Sequence, residues 1–170
     1  MIILIGGSPY TGRTLLAQKL LEKYKISYLS TYYLKMALIR SGNTDFTEKD
    51  DDKQAEYIWN IIKEIIKINI ENNQKIIIQG SYIPFNWKDD FDEEYLKEMQ
   101  YVCLIMTEKY INTHYPDKNT KRDLIGNPII GNIISKEKLI KENKYNYEMC
   151  KKYNYKYILI DDKYEVDLEL

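Results

Sequence analysis

Eight residues near the start of the chain constrain it most: Gly7-Ser8-Pro9-Tyr10-Thr11-Gly12-Arg13-Thr14. They follow the apolar run Ile2-Ile3-Leu4-Ile5. They precede a stretch in which Leu15, Leu16 and Leu20 trace the inward face of a helix and Lys19 and Lys23 the other. Glycines reach backbone angles that other residues resist. A glycine loop between a buried strand and a helix can therefore turn its N–H groups inward around a phosphate, with the positive end of the helix dipole behind it. Thr14 adds a hydroxyl able to ligate magnesium on that phosphate. The spacing is G-x-x-x-x-G-K-[ST] with one departure, Arg13 in place of lysine. Arginine keeps its charge and binds phosphate oxygens in a fork, but its planar head fills more space than a compact ammonium.

Beyond the loop, short apolar runs alternate with helical patterns. Strands are expected at residues 2–5, 26–29, 75–79, 101–106 and 157–160. Leu34, Ala37 and Leu38 mark a helix that stops at Ser41-Gly42. Thr47-Glu48-Lys49-Asp50 has the form of a capping box, and the acids of Asp50-Asp51-Asp52 suit a helix N-terminus. Ile58, Ile61, Ile62, Ile65 and Ile66 then follow at helical spacing, up to a stop near Asn72-Asn73. Residues 107–114 read as a short helix, 118–132 as irregular, and 136–153 as a helix with Leu139, Ile140, Asn143, Tyr147 and Cys150 in its pattern. Strands apolar on both faces, alternating with helices, imply a three-layer α/β/α domain with a parallel sheet.

Bulk properties narrow the functional classes. At 170 residues the chain reads as one domain, 1–170, and its 44% apolar content supports a packed core. A formal charge of −1 gives no global attraction to nucleic acid or to an anionic membrane, and neither is expected as a partner. No apolar stretch approaches the roughly 20 residues that span a bilayer. The first strand begins directly after Met1, so a signal peptide is not expected. Cys103 sits in an apolar strand and Cys150 in a lysine-rich helix, consistent with a reduced, cytoplasmic protein without a metal cluster.

On these residues the chain resembles the adenylate-kinase-like group of P-loop kinases, which includes the shikimate, 2-phosphoglycerate and zeta-toxin-like kinases. The glycine loop carries most of the resemblance. Ser30-Thr31 followed by Ser41-Gly42, and the apolar strand ending in Gln79-Gly80, carry the rest. The resemblance implies a P-loop fold with five parallel strands in the order 2-3-1-4-5 and a lid at about 115–134. It implies ATP or GTP with Mg2+ as cofactors, bound through Gly7, Ser8, Pro9, Tyr10, Thr11, Gly12, Arg13 and Thr14, with Thr14 as the metal ligand. Arg13 and Arg122 then stand where catalytic cations act. Tyr32, Tyr33, Lys35, Arg40, Gln79 and Tyr82 stand where the acceptor binds.

The same resemblance marks departures. The acid and arginine that such kinases carry after the second strand are matched by Tyr33 and Met36, and the shikimate-type acid falls at or beside Tyr32. The pattern Asp-Gly-Phe-Pro-Arg after the third strand is matched by Gln79-Gly80-Ser81-Tyr82-Ile83. Two functions follow. One is an ATP-dependent phosphotransferase acting on a small metabolite or nucleotide. The other is a degenerate nucleotide-binding module that acts through a partner. Monomer and homodimer both stay open. Tyr82, Phe85 and Trp87 read as an aromatic pocket wall or as a packed loop. His114 reads as a surface or capping residue, and Asp161-Asp162 as a ligand-side strand end or a plain turn.

Overall fold

The computed structural model describes residues 1–46, 51–115 and 134–170; the side chains of residues 51 and 52 are not described. The expected capping box at 47–50 and the 116–133 part of the expected lid, with Arg122, lie outside the described residues.

Five strands form one sheet: β1 (Ile2–Gly7), β2 (Tyr28–Ser30), β3 (Ile76–Gln79), β4 (Met99–Met106) and β5 (Lys156–Ile160). Their order is β2-β3-β1-β4-β5 and every pair is parallel, as expected. The six α-helices among the described residues are α1 (Arg13–Tyr24), α2 (Thr31–Arg40), α3 (Asp51–Glu71), α4 (Glu93–Leu96), α5 (Glu108–His114) and α6 (Lys136–Lys152). None of these helices is long and apolar enough to cross a membrane.

Alternation along the strands builds the layers. Ile2 and Leu4 of β1, Ile78 of β3, and Tyr101, Cys103 and Ile105 of β4 join Ile58, Trp59, Ile62 and Ile66 of α3 in one core. Their neighbours Ile3, Ile5, Ile77, Val102, Leu104 and Met106 join Leu16, Ala17 and Leu20 of α1 and Ile111 of α5 in the other. Side chains of successive strand residues point to opposite faces, so one apolar run feeds both cores. Helix α6 gives Leu139 to the second core and Cys150 to the first.

α3 holds its helix against propensity. Its isoleucines each cost up to about 0.7 kcal/mol against alanine. Burial of Ile58, Ile62 and Ile66, each at most 2% exposed, contributes about 1.5–3 kcal/mol per side chain. Burial therefore wins.

Several expectations shift. β2 begins at Tyr28 rather than Ile26, and Ala17 rather than Leu15 completes the buried face of α1. Ile26 is still buried, so the apolar signal there belongs to the approach and not to the ladder. The β3–β4 connection holds a 3₁₀ turn at Trp87–Asp90 and the one-turn α4, both too short for a periodic signal. Trp87 is core there, 2% exposed, stacked on Tyr101 and Tyr155. Trp87 thus belongs to the core, while Tyr82 and Phe85 are partly buried against it.

Asp90 ties this connection to α3. Its carboxylate accepts from Trp59 Nε1 at 2.8 Å and pairs with Lys63 at 2.9 Å. Burial pushes the Asp90 carboxyl up, but the bonds from Trp59 and Lys63 outweigh it and hold the group below its ordinary value of 3.8. A depressed folded-state value gives stability that is present above the unfolded value and lost as pH falls through the folded one. Denaturant melts should therefore show a stability decrement on acidification below about pH 4 that is smaller in Asp90→Asn.

Candidate functional site

The glycine loop leaves the carboxyl end of β1 and enters α1 at Arg13. Gly12 caps α1 at φ 84°, ψ 25°, in the left-handed region, which glycine reaches without strain. A Cβ on Gly12 would lie 1.7 Å from the Tyr164 hydroxyl. That hydroxyl donates to the carbonyls of Thr11 and Gly12, at 3.3 Å each, and burial pushes the phenol up to about 12. Within the loop, the Thr11 hydroxyl donates to Ser8 O at 2.8 Å. Asn146 of α6 donates to the Ser8 hydroxyl at 3.0 Å.

Tyr164 belongs to a C-terminal strap along α1. Val166 and Leu168 are buried in the second core. Lys19 Nζ donates to Val166 O at 2.9 Å, and Lys23 and Tyr24 both bond Glu169.

Arg13 folds back over its own loop. Its Nη1 donates to Gly7 O at 2.7 Å and to the Ser81 hydroxyl at 2.8 Å. Burial lowers the guanidinium to about 10, with Cys103 foremost among the neighbours that oppose the shift. The group stays charged at neutral pH. Thr14, the next residue, accepts from Gln79 Nε2 at 3.3 Å. Gln79 is 4% exposed at the end of β3, so the group beside the Thr14 hydroxyl is a buried neutral amide. Among the described residues no group of three or more His, Cys, Asp or Glu gathers in metal-binding fashion.

The expected acceptor residues divide. Lys35, buried on α2, donates to the Tyr82 hydroxyl at 2.8 Å, with its ammonium 5.4 Å from the ring centroid. Thr31, one turn earlier on the same face, is fully buried, and its hydroxyl has no hydrogen-bond partner among the described residues. It presses on Gly80, where a Cβ would meet it at 1.7 Å. Tyr33 is 62% exposed, and its ring lies 6.1 Å from that of Tyr32. Arg40 is exposed in the last turn of α2, roughly 13 Å along the axis from Thr31 at the standard rise. Tyr10 is exposed at φ 65° and Pro9 half-buried.

Of the residues weighed at the lid side, His114 is exposed, stacked on Tyr110 at 4.2 Å, with Nδ1 3.1 Å from Tyr110 O. Asp161 accepts from Thr107, and Asp162 pairs with Lys109, which ties the end of β5 to the start of α5. Sequence reasoning missed Ser81, Asn146 and Tyr164. Only Ser81 had a signal, its place directly after the Gln79-Gly80 strand end.

A scan against protein-family models and a search of curated proteins give no match. Solved structures do match. A shikimate kinase from Bacteroides thetaiotaomicron is 15% identical, with a TM-score of 0.55 over 95% of this chain and 86% of that one. A sugar kinase from Janibacter sp. HTCC2649 is 14% identical, with a TM-score of 0.54 over 94% and 84%. A deoxyadenosine kinase from M. mycoides is 14% identical, with a TM-score of 0.51 over 98% and 92%. The chain has the three-layer α/β/α fold of the P-loop kinases.

Gly12→Ala should destabilise the fold by about 1–3 kcal/mol, the scale of a strained left-handed residue. Tyr164→Ala in the same chain should recover part of that loss by removing the overlapping hydroxyl. A double-mutant cycle of urea melts measures the coupling.

Proposed function

We propose that this protein is a nucleotide-dependent phosphotransferase, using ATP or GTP to phosphorylate a small metabolite or nucleotide. One observation carries the reading. The cation and the hydroxyl that open α1, Arg13 and Thr14, are each hydrogen-bonded to the end of β3, through Ser81 and Gln79. The loop amides from Gly7 to Thr14 would cradle the phosphates, and Arg13 would hold oxygens of the transferring group.

The donors at Thr14 and Gln79 fit a magnesium ion carried mainly by phosphate oxygens and water, because Mg2+ prefers hard oxygen ligands and dehydrates reluctantly. Thr14 would ligate it and Gln79 would hold one of its waters. Once bound, it would neutralise charge on the β- and γ-phosphate oxygens.

Lys35 and Tyr82, with Tyr32 and Gln79 near the ends of β2 and β3, would hold the acceptor. Kinases named for shikimate, a sugar and deoxyadenosine are among the similar folds, which supports a small acceptor. No acid stands at Tyr32, Tyr33 or Gln79 to take the acceptor proton. A loose phosphoryl transition state tolerates that loss, since positioning and charge supply most of the rate.

A second reading, a nucleotide-binding module without turnover that acts through a partner chain, is favoured by one observation: the neutral amide of Gln79 against Thr14.

Titration with MgATP, followed by transfer assays over hydroxyl- and phosphate-bearing metabolites, separates the two. The enzyme reading expects transfer to at least one acceptor. It also expects Arg13→Ala to cost about ten- to a hundredfold in MgATP affinity or turnover, the scale of a charged hydrogen bond. Tight binding with no transfer to any acceptor selects the module, and no binding at millimolar MgATP rejects both.

A further inference from the structure

We propose that Ser81 is a positioning residue for Arg13, splitting the guanidinium into a half held by the protein and a half offered to phosphate. This rests on the phosphotransfer reading above.

Sheet register puts Ser81 where it is. β1 and β3 pair with Ile5 opposite Gln79, and Gly80 N donates to Ile5 O at 3.1 Å. Two residues further along each chain stand Gly7 and Ser81. Both supply an acceptor to the same nitrogen, Arg13 Nη1, at 2.7 and 2.8 Å. An Nη carries two protons, so this pair of acceptors can take both. Among the described residues no acceptor meets Nη2 or Nε, so their protons remain for phosphate oxygens. A lysine ammonium has three donors but a single nitrogen and no planar head for a second acceptor to orient. Arginine at this position therefore gains from a second acceptor that sets the plane of its head. Gly7 O alone fixes one direction. Ser81 fixes the second, and two directions define a plane.

The opposite outcome is equally concrete. If the contact instead holds Arg13 away from the phosphate, releasing it would tighten binding.

The chain has three arginines, so [15N]arginine labelling gives a simple guanidinium spectrum, with Arg13 assigned by its loss in Arg13→Lys. The proposal expects resolved, slowly rotating Nη signals for Arg13 that merge in Ser81→Ala and persist in Ser81→Thr. MgATP affinity should fall about three- to tenfold in Ser81→Ala, the range of one net hydrogen bond. It should recover in Ser81→Thr and be indifferent to Ser81→Ala when Arg13 is already lysine. Unchanged Nη signals, tighter binding, or an equal loss in the Arg13→Lys background each overturn it. A wild-type protein that binds no MgATP overturns the phosphotransfer reading and this role with it. Binding with unchanged Nη signals removes Ser81 alone.

Discussion

β1 is hydrogen-bonded along both edges, to β3 from Ile2 through Ile5 and to β4 from Ile2 through Gly7. Everything at the loop inherits its position from that double pairing. Both faces of the strand are buried, so a slip of register would strand apolar side chains and break two ladders together. The strand ends in glycine at a fixed height, beside the ends of β3 and β4. Gln79 reaches Thr14, Ser81 reaches Arg13, and Asn146 reaches Ser8 from the helix that leads into β5. The loop is held from the end of β3 and from α6.

The site's charge comes from basic groups: Gln79 is neutral and Arg13 carries a positive charge beside Thr14. Burial lowers the guanidinium without discharging it at neutral pH. Lys35 adds a buried cation beside Tyr82. The described part of the site is therefore weighted toward positive charge and neutral hydrogen-bonding groups, a setting suited to anionic ligands that bring their own counter-ion.

Layer architecture is legible because it rests on strong, redundant signals: apolar runs for β1, β3 and β4, and a five-isoleucine stripe on α3. Strand order follows only from the resemblance that the glycine loop carries. The glycine loop is legible because its spacing is tied to backbone angles. Ser81, Asn146 and Tyr164 are not, since each acts across 68, 138 and about 153 positions of sequence and is an ordinary polar residue in its local context. Trp87 misleads in another way. An aromatic residue after β3 suits a pocket wall and a core equally well by composition, and only the stacking partners Tyr101 and Tyr155 decide for the core. β2 starts late because Ile26 and Tyr28 are both apolar, while the ladder to β3 begins only where Tyr28 meets Ile77.

Helix α6 feeds both sides of the sheet, with Leu139 on one face and Cys150 on the other, and Asn143 between them accepts the N–H of Met106 at 2.8 Å. A segment shared in this way acts as a rivet. Neither layer can melt alone without tearing out the helix that the other depends on, so heating should take the sheet apart as one cooperative unit, and the glycine loop keeps its shape until the whole body gives way.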